Sequence, residues 1–231
     1  MPVRAGLPDA AMTGRRSDRR LFYLHGFASS AGSMKAGYFG ERLRGHGVTL
    51  RCPDFNAPDF ATLTMTRMLE QLAREVAEVD PGPVTLIGSS LGGALAILAA
   101  ARLPRIERLV LLAPAVGFAK PGHHLLPPER IEQWRRARSL TFFHYAYNEQ
   151  RPLHVDFYED SRRYDPFETV FSQPTLIFQG LGDASVDHAT VERFASTRPN
   201  VTLCLLEDDH SLGASLPRMW RDIAVCLELE S

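Results

Sequence analysis

The chain predicts an α/β fold: a doubly wound, mainly parallel sheet of about six strands with a helical and aromatic cap insertion. Three observations predict it. Six apolar runs of four to six residues, bounded mostly by Gly or Pro, suit strands buried on both faces of a parallel sheet. Amphipathic segments with i, i+3, i+4 apolar spacing alternate with them, which is the rhythm of βαβ units with right-handed crossovers. About sixty residues between the fourth and fifth runs break that rhythm and hold the insertion.

Residues 1–20 carry five arginines among Pro, Gly and Ala, with no apolar centre of a secretory signal. They read as a disordered lead-in to a domain spanning 21–231. The run at 21–24 is a strand stopped by Gly26, and 35–44 is a helix. A second strand at 48–52 is closed by Pro53, and a helix follows at 61–79. The third strand, 84–87, ends at Gly88. The segment 91–102 is nearly all Leu, Ala and Ile, so it should be a buried helix. The fourth strand, 109–112, ends at Pro114.

The insertion, at about 117–170, holds a turn at Pro121-Gly122, a helix start at Pro127-Pro128 and a helix around 131–137. Phe142, Phe143, Tyr145, Tyr147, Phe157 and Tyr158 follow. It leaves a strand's carboxyl end, where α/β sheets bind ligands, so it reads as a lid, with extra packing as the plainer alternative. A strand at 175–178, a helix at 189–196, a strand at 201–206 and a helix at 216–229 complete the domain.

Composition narrows the function classes. Lys and Arg number 26 against 27 Asp and Glu, a net charge of −1, which is no footprint for nucleic acid or an anionic membrane. Apolar residues at 45% and charged residues at 23% fit a folded globule. No apolar run nears the roughly 18 residues of a membrane span. Cys52, Cys204 and Cys226 are odd in number and far apart, which argues against a disulfide framework or a zinc site. A cytoplasmic location is expected.

The chemistry centres on Gly88-Ser89-Ser90-Leu91-Gly92, a G-x-S-x-G pattern between a strand and a buried helix. Small residues at 88, 92 and 93 permit a sharp turn that raises the Ser90 hydroxyl at a helix N-terminus. A glycine-rich turn with a capping serine is the competing reading. A nucleophilic serine needs a base and an orienting acid. Asp183 follows the fifth strand and His210 the sixth, so both emerge at the same sheet edge as Ser90, in the order Ser, Asp, His. Asp187 is the rival acid, though its place before 189–196 suits a helix N-cap. Of the other histidines, His25 reads as a buttress of its loop. His46, His123, His124 and His188 read as solvated, and His144 and His154 lie in the insertion. The oxyanion donors should be the N–H groups of Leu91 and of Phe27, in the loop His25-Gly26-Phe27.

On Ser90, Asp183, His210 and His25-Gly26-Phe27, the span from Leu21 onward resembles the α/β-hydrolase superfamily. The opening Tyr23-Leu24-His25-Gly26-Phe27-Ala28-Ser29-Ser30, with Ser33, Lys35 and Ala36 after it, resembles the YqiA-like small bacterial esterases. So does Gly88-Ser89-Ser90-Leu91-Gly92-Gly93. That resemblance implies a cytoplasmic serine esterase of short acyl esters, with acyl thioesters as a second substrate class. The long aromatic insertion departs from the compact members of that group.

The resulting expectation is a serine hydrolase of small carboxylic esters acting through an acyl-enzyme, with no metal and no organic cofactor. Phe142, Phe143 and Tyr145 are the expected substrate-binding residues. Arg135, Arg136, Arg138, Arg162 and Arg163 are either a solvated face or contacts for an anionic leaving group such as the phosphates of CoA. A C–C bond hydrolase or a cofactor-free haloperoxidase would use the same triad. A non-catalytic ligand-binding protein is the alternative of a different class.

Overall fold

The computed structural model describes residues 20–118 and 126–229. The expected lead-in before Arg20, the Pro121-Gly122 turn and the pair His123 and His124 lie outside the described residues. Along the chain run β1 (Arg20–Leu24), α1 (Met34–Gly45), β2 (Leu50–Arg51), α2 (Met65–Glu78), β3 (Val84–Ser89), α3 (Leu91–Ala100) and β4 (Ile106–Leu112). The segment after β4 holds α4 (Pro128–Ala137), β5 (Ser139–His144), β6 (Glu149–His154) and α5 (Asp156–Ser161). The chain then returns through β7 (Thr175–Gly180), α6 (His188–Ser196), β8 (Val201–Leu206) and α7 (Leu216–Cys226).

Six strands form one parallel sheet in the order β2-β1-β3-β4-β7-β8. From β1 the chain steps outward to β2, then back across to β3, so the strand order reverses beside β1 and β3. Such a reversal opens a crevice at the carboxyl ends of the strands.

Strand alternation divides the apolar residues between two cores. Phe22, Leu24, Leu86, Leu111 and Ile177 face Met68 and Leu72 of α2, Leu95 of α3 and Phe194 of α6. Leu21, Tyr23, Ile87, Val110 and Phe178 face Phe39 and Leu43 of α1 and Met219 and Ile223 of α7. In α2 the buried residues are Met65, Met68, Leu72 and Val76, one stripe on an otherwise polar helix. Each contributes about 1.5–3 kcal/mol by leaving water. Every residue of α3 is buried, as its composition requires.

Three departures from the sequence reading have local causes. The second strand pairs only over Leu50–Arg51. It lies at the sheet edge with β1 as its one neighbour. The helix expected from residue 61 starts at Met65, because Asp59 turns the chain by accepting the Thr62 N–H and Thr64 caps α2 by accepting the Arg67 N–H. The insertion is not only helical: β5 and β6 form an antiparallel hairpin. Leu140 and His144 are buried on one face, with the half-buried Phe142 between them, while Phe143 and Tyr145 are exposed. Asn148, at φ +53, supplies the left-handed residue of its turn. No described helix is long and apolar enough to cross a membrane.

Candidate active site

Ser90 stands between β3 and α3 with φ +53 and ψ −115, a backbone region that non-glycine residues avoid. Its surroundings impose that turn. The Ser90 N–H donates to the Leu112 carbonyl at 2.9 Å, and its own carbonyl accepts from Gly93, Ala94 and Ala115. A Cβ at Gly88 would lie 2.4 Å from the Gly92 oxygen, and one at Gly92 would lie 2.1 Å from the Leu24 oxygen. Gly88 and Gly92 are therefore demanded by close packing of backbone, and a Cβ at Gly93 would lie 2.8 Å from the Pro114 Cβ. The serine hydroxyl is left at the start of α3, where the unpaired N–H groups and the helix dipole favour negative charge.

His210 and Asp183 arrive from the neighbouring strand ends. The His210 Nε2 lies 3.1 Å from the Ser90 Oγ, and its Nδ1 lies 2.8 Å from the Asp183 Oδ2. The imidazole is 32% exposed, whereas the Asp183 side chain is fully buried. Asp183 also accepts from the Ser185 and Val186 N–H groups, each at 2.8 Å. Burial by itself pushes this carboxyl up. The hydrogen bond from His210 and the two backbone N–H groups outweigh burial and hold it below its ordinary value. Since an ionised carboxylate only accepts, Nδ1 carries the imidazole proton and Nε2 accepts from the Ser90 hydroxyl. Asp187 sits outside this group and caps α6, accepting from the Ala189 and Thr190 N–H groups and the Thr190 hydroxyl.

One member of this network was missed from the sequence. Gln179 is fully buried, and its Nε2 donates to the Asp183 Oδ2 at 2.9 Å and to the Val186 and Gly180 carbonyls. A polar side chain directly after the apolar run 175–178 was the available signal.

The loop after β1 closes the other side. A Cβ at Gly26 would lie 3.3 Å from the Ser90 Cβ and 3.9 Å from its Oγ, so the loop abuts the serine. The N–H groups of Phe27 and Leu91 donate no hydrogen bond among the described residues. His25 is buried, with Nδ1 donating to the Gly26 carbonyl at 2.9 Å and Nε2 accepting the Phe55 N–H at 3.1 Å. It thus ties the loop to the segment after β2.

The hairpin leans on this loop. The Tyr145 N–H donates to the Ala28 carbonyl at 2.9 Å. His144 holds the Asn56 Oδ1 at 3.1 Å, and the Asn56 Nδ2 holds the Ser29 carbonyl at 2.8 Å. Two further ties anchor the insertion: His154 N–H to the Ala61 carbonyl, and Thr66 to Asp160 through both its N–H and its hydroxyl. The Phe142 ring meets the Phe27 ring edge-on at 5.5 Å, while Phe60 and Phe157 flank Phe27 at 5.4 and 5.3 Å. Of the expected substrate-binding residues, only Phe142 reaches the loop beside Ser90 with its side chain. Phe143 and Tyr145 are 41% and 74% exposed on the outer face. The insertion's arginines are paired: Arg135 and Arg162 with Glu159, Arg136 with Glu132, Arg138 with Asp156 and Arg163 with Asp160. No cluster of three or more His, Cys, Asp or Glu suited to a metal occurs among the described residues.

Comparison with known proteins agrees with this architecture. The chain is similar to a pimeloyl-[acyl-carrier protein] methyl ester esterase of Xylella fastidiosa, 32% identical over 127 residues. That match spans 53% of this chain and 43% of the relative, less than half of that protein's length. Among solved structures it is similar to Est1E from Butyrivibrio proteoclasticus with ferulic acid bound, with TM-score 0.78, 21% identity and coverage of 93% and 90%. It is also similar to mouse alpha/beta hydrolase domain-containing protein 10, with TM-score 0.76, 21% identity and coverage of 90% and 89%. Both likenesses establish the α/β-hydrolase fold. The model of the family described as "Uncharacterised protein family (UPF0227)" matches residues 20–226. The chain belongs to the UPF0227 family, the YqiA-like group of α/β hydrolases.

Proposed function

We propose that this chain is a serine hydrolase of small carboxylic esters, with Ser90 as nucleophile, His210 as general base and acid, and Asp183 as the orienting carboxylate. The observation that carries the reading is the continuous relay from the Ser90 Oγ through His210 to Asp183, at 3.1 and 2.8 Å. Ser90 attacks the ester carbonyl as His210 takes its proton. The Phe27 and Leu91 N–H groups receive the negative charge on the tetrahedral oxygen. His210 returns the proton to the departing alcohol, and a water activated by the same imidazole releases the acid. Asp183 keeps the imidazole in the tautomer that accepts at Nε2 and stabilises the imidazolium.

The substrate class follows from two supports. A methyl ester esterase among the relatives makes methyl esters the first substrates to try. The arginines weighed as contacts for CoA phosphates are engaged with carboxylates, which favours esters over CoA thioesters. The test is fluorophosphonate labelling of wild type beside Ser90→Ala, with hydrolysis of methyl and p-nitrophenyl esters of two to sixteen carbons and one acyl-CoA series. We expect labelling to vanish in Ser90→Ala and kcat to fall by at least about a thousandfold. A folded wild type that neither labels nor hydrolyses any ester would overturn the reading and favour a binding protein on this fold.

A further inference from the structure

The start of α1 touches the residue that follows His210, and through Tyr23 of β1 it is linked to the residue that precedes Ser90. Lys35, the second residue of α1, donates from Nζ to the Ser211 carbonyl at 2.8 Å, a tie between residues 176 apart in sequence. Ser211 directly follows His210. On the other side, the buried Tyr23 hydroxyl interacts with Ser33, the N-cap of α1, and with Ser89, which directly precedes Ser90. The His210 loop is shaped from within: Asp209 accepts the Ser211 N–H and hydroxyl, and Asp208 accepts the Ser215 N–H. The Gly182 N–H to the Asp208 carbonyl joins it to the loop after β7. Lys35 joins it to α1.

Building on the proposed Ser90 chemistry, we propose that Lys35 is a positioning residue for His210. It clips the loop so that the imidazole stays within reach of both Ser90 and Asp183. Its charge acts as well. Burial pulls the Lys35 amine below its ordinary value, while Asp183, Asp209 and Asp208 favour its charged form. A cation facing these three carboxylates beside the imidazole opposes a second positive charge there.

The experiment compares wild type, Lys35→Met and Lys35→Arg by thermal melting, fluorophosphonate labelling rate, kcat, KM and the pH dependence of kcat/KM. Lys35→Met is expected to fold and to lose about tenfold in kcat and labelling rate, with KM nearly unchanged. Its acid limb should move up by about half a pH unit. Lys35→Arg, which keeps the charge and a donor, should return the acid limb to its wild-type position and restore most of the rate. A folded Lys35→Met with wild-type labelling rate and pH profile overturns the proposal. So does a loss that comes with unfolding in both variants, since that assigns Lys35 to the scaffold. If wild type itself does not label, the Ser90 reading fails first and this proposal falls with it.

Discussion

His25 and His144 are two buried imidazoles that the proposed reaction does not use, and burial holds both neutral, while the Phe55 N–H also needs His25 so. His25 donates at one nitrogen and accepts at the other. His144 meets Asn56 Oδ1 through Nε2, and its Nδ1 has no partner. Asn56 already donates to Ser29 and Asp54, so its Oδ1 accepts and the His144 proton sits on Nε2. Burial lowers both pKa values below 6.5, for His144 with help from nearby His25 and Arg151. An unfolded chain therefore takes up protons below pH 6.5 that the folded chain refuses. The stability these residues permit is complete above pH 6.5 and falls as pH drops toward their depressed folded values, by at most about 1.4 kcal/mol per pH unit each. The carboxylates with lowered pKa, Asp183 among them, add losses only at lower pH, near and below 4. Urea midpoints at pH 7.5, 6.5 and 5.5 should show the decline between the last two, and His144→Gln should flatten it. The catalytic candidates were legible because each follows an apolar run at a fixed edge. His144 was not, since its burial depends on a hairpin whose inward face alternates Leu, Phe and His rather than plain apolar residues.

Elements differ in how much of their sequence their neighbours dictate. In α3, Gly92 has backbone oxygens of Leu24 and His25 where a Cβ would go, and backbone on both sides cannot yield. In α1, Gly40 has nothing within 4 Å of that position and no unusual φ. Gly92→Ala should cost about 3 kcal/mol or more through overpacking and forced separation of β1 from α3. Gly40→Ala should gain about 0.5–1 kcal/mol by removing backbone freedom from the unfolded chain. Denaturant midpoints of the two variants would check both signs. The Gly88 to Gly93 cluster was readable from its motif, because a strand turning into a helix at that density leaves no room. The hairpin was not, because a run of aromatics carries no period until its turn residue, Asn148, is given its left-handed role.

Across the whole molecule the insertion is part of the core rather than an appendage. Trp134, Leu140, Leu153, Val155 and Phe157 lie in the same apolar cluster as Phe22, Leu86 and Ile177 of the sheet. The two tryptophans report on opposite faces, since Trp220 packs against the other core. In Trp220→Phe, fluorescence from Trp134 should therefore follow the same urea transition as far-UV circular dichroism. An earlier fluorescence transition would mean that the insertion opens alone. The doubly wound sheet was legible because each buried strand announces itself, whereas the anchoring of the insertion rests on pairs such as Thr66 and Asp160, which no local pattern joins. The connection that carries the insertion runs from the carboxyl end of β4 to the start of β7, strands that pair directly through Leu112 and Phe178. Any chain making that crossover must span the sheet whatever its length, and doubling a loop costs only about 0.6 kcal/mol. Ser90 lies before this connection in the chain, and Asp183 and His210 lie after it. Recombination between relatives that exchanges the segment must therefore also match the core it packs into, while the strand register that spaces Ser90, Asp183 and His210 is inherited intact.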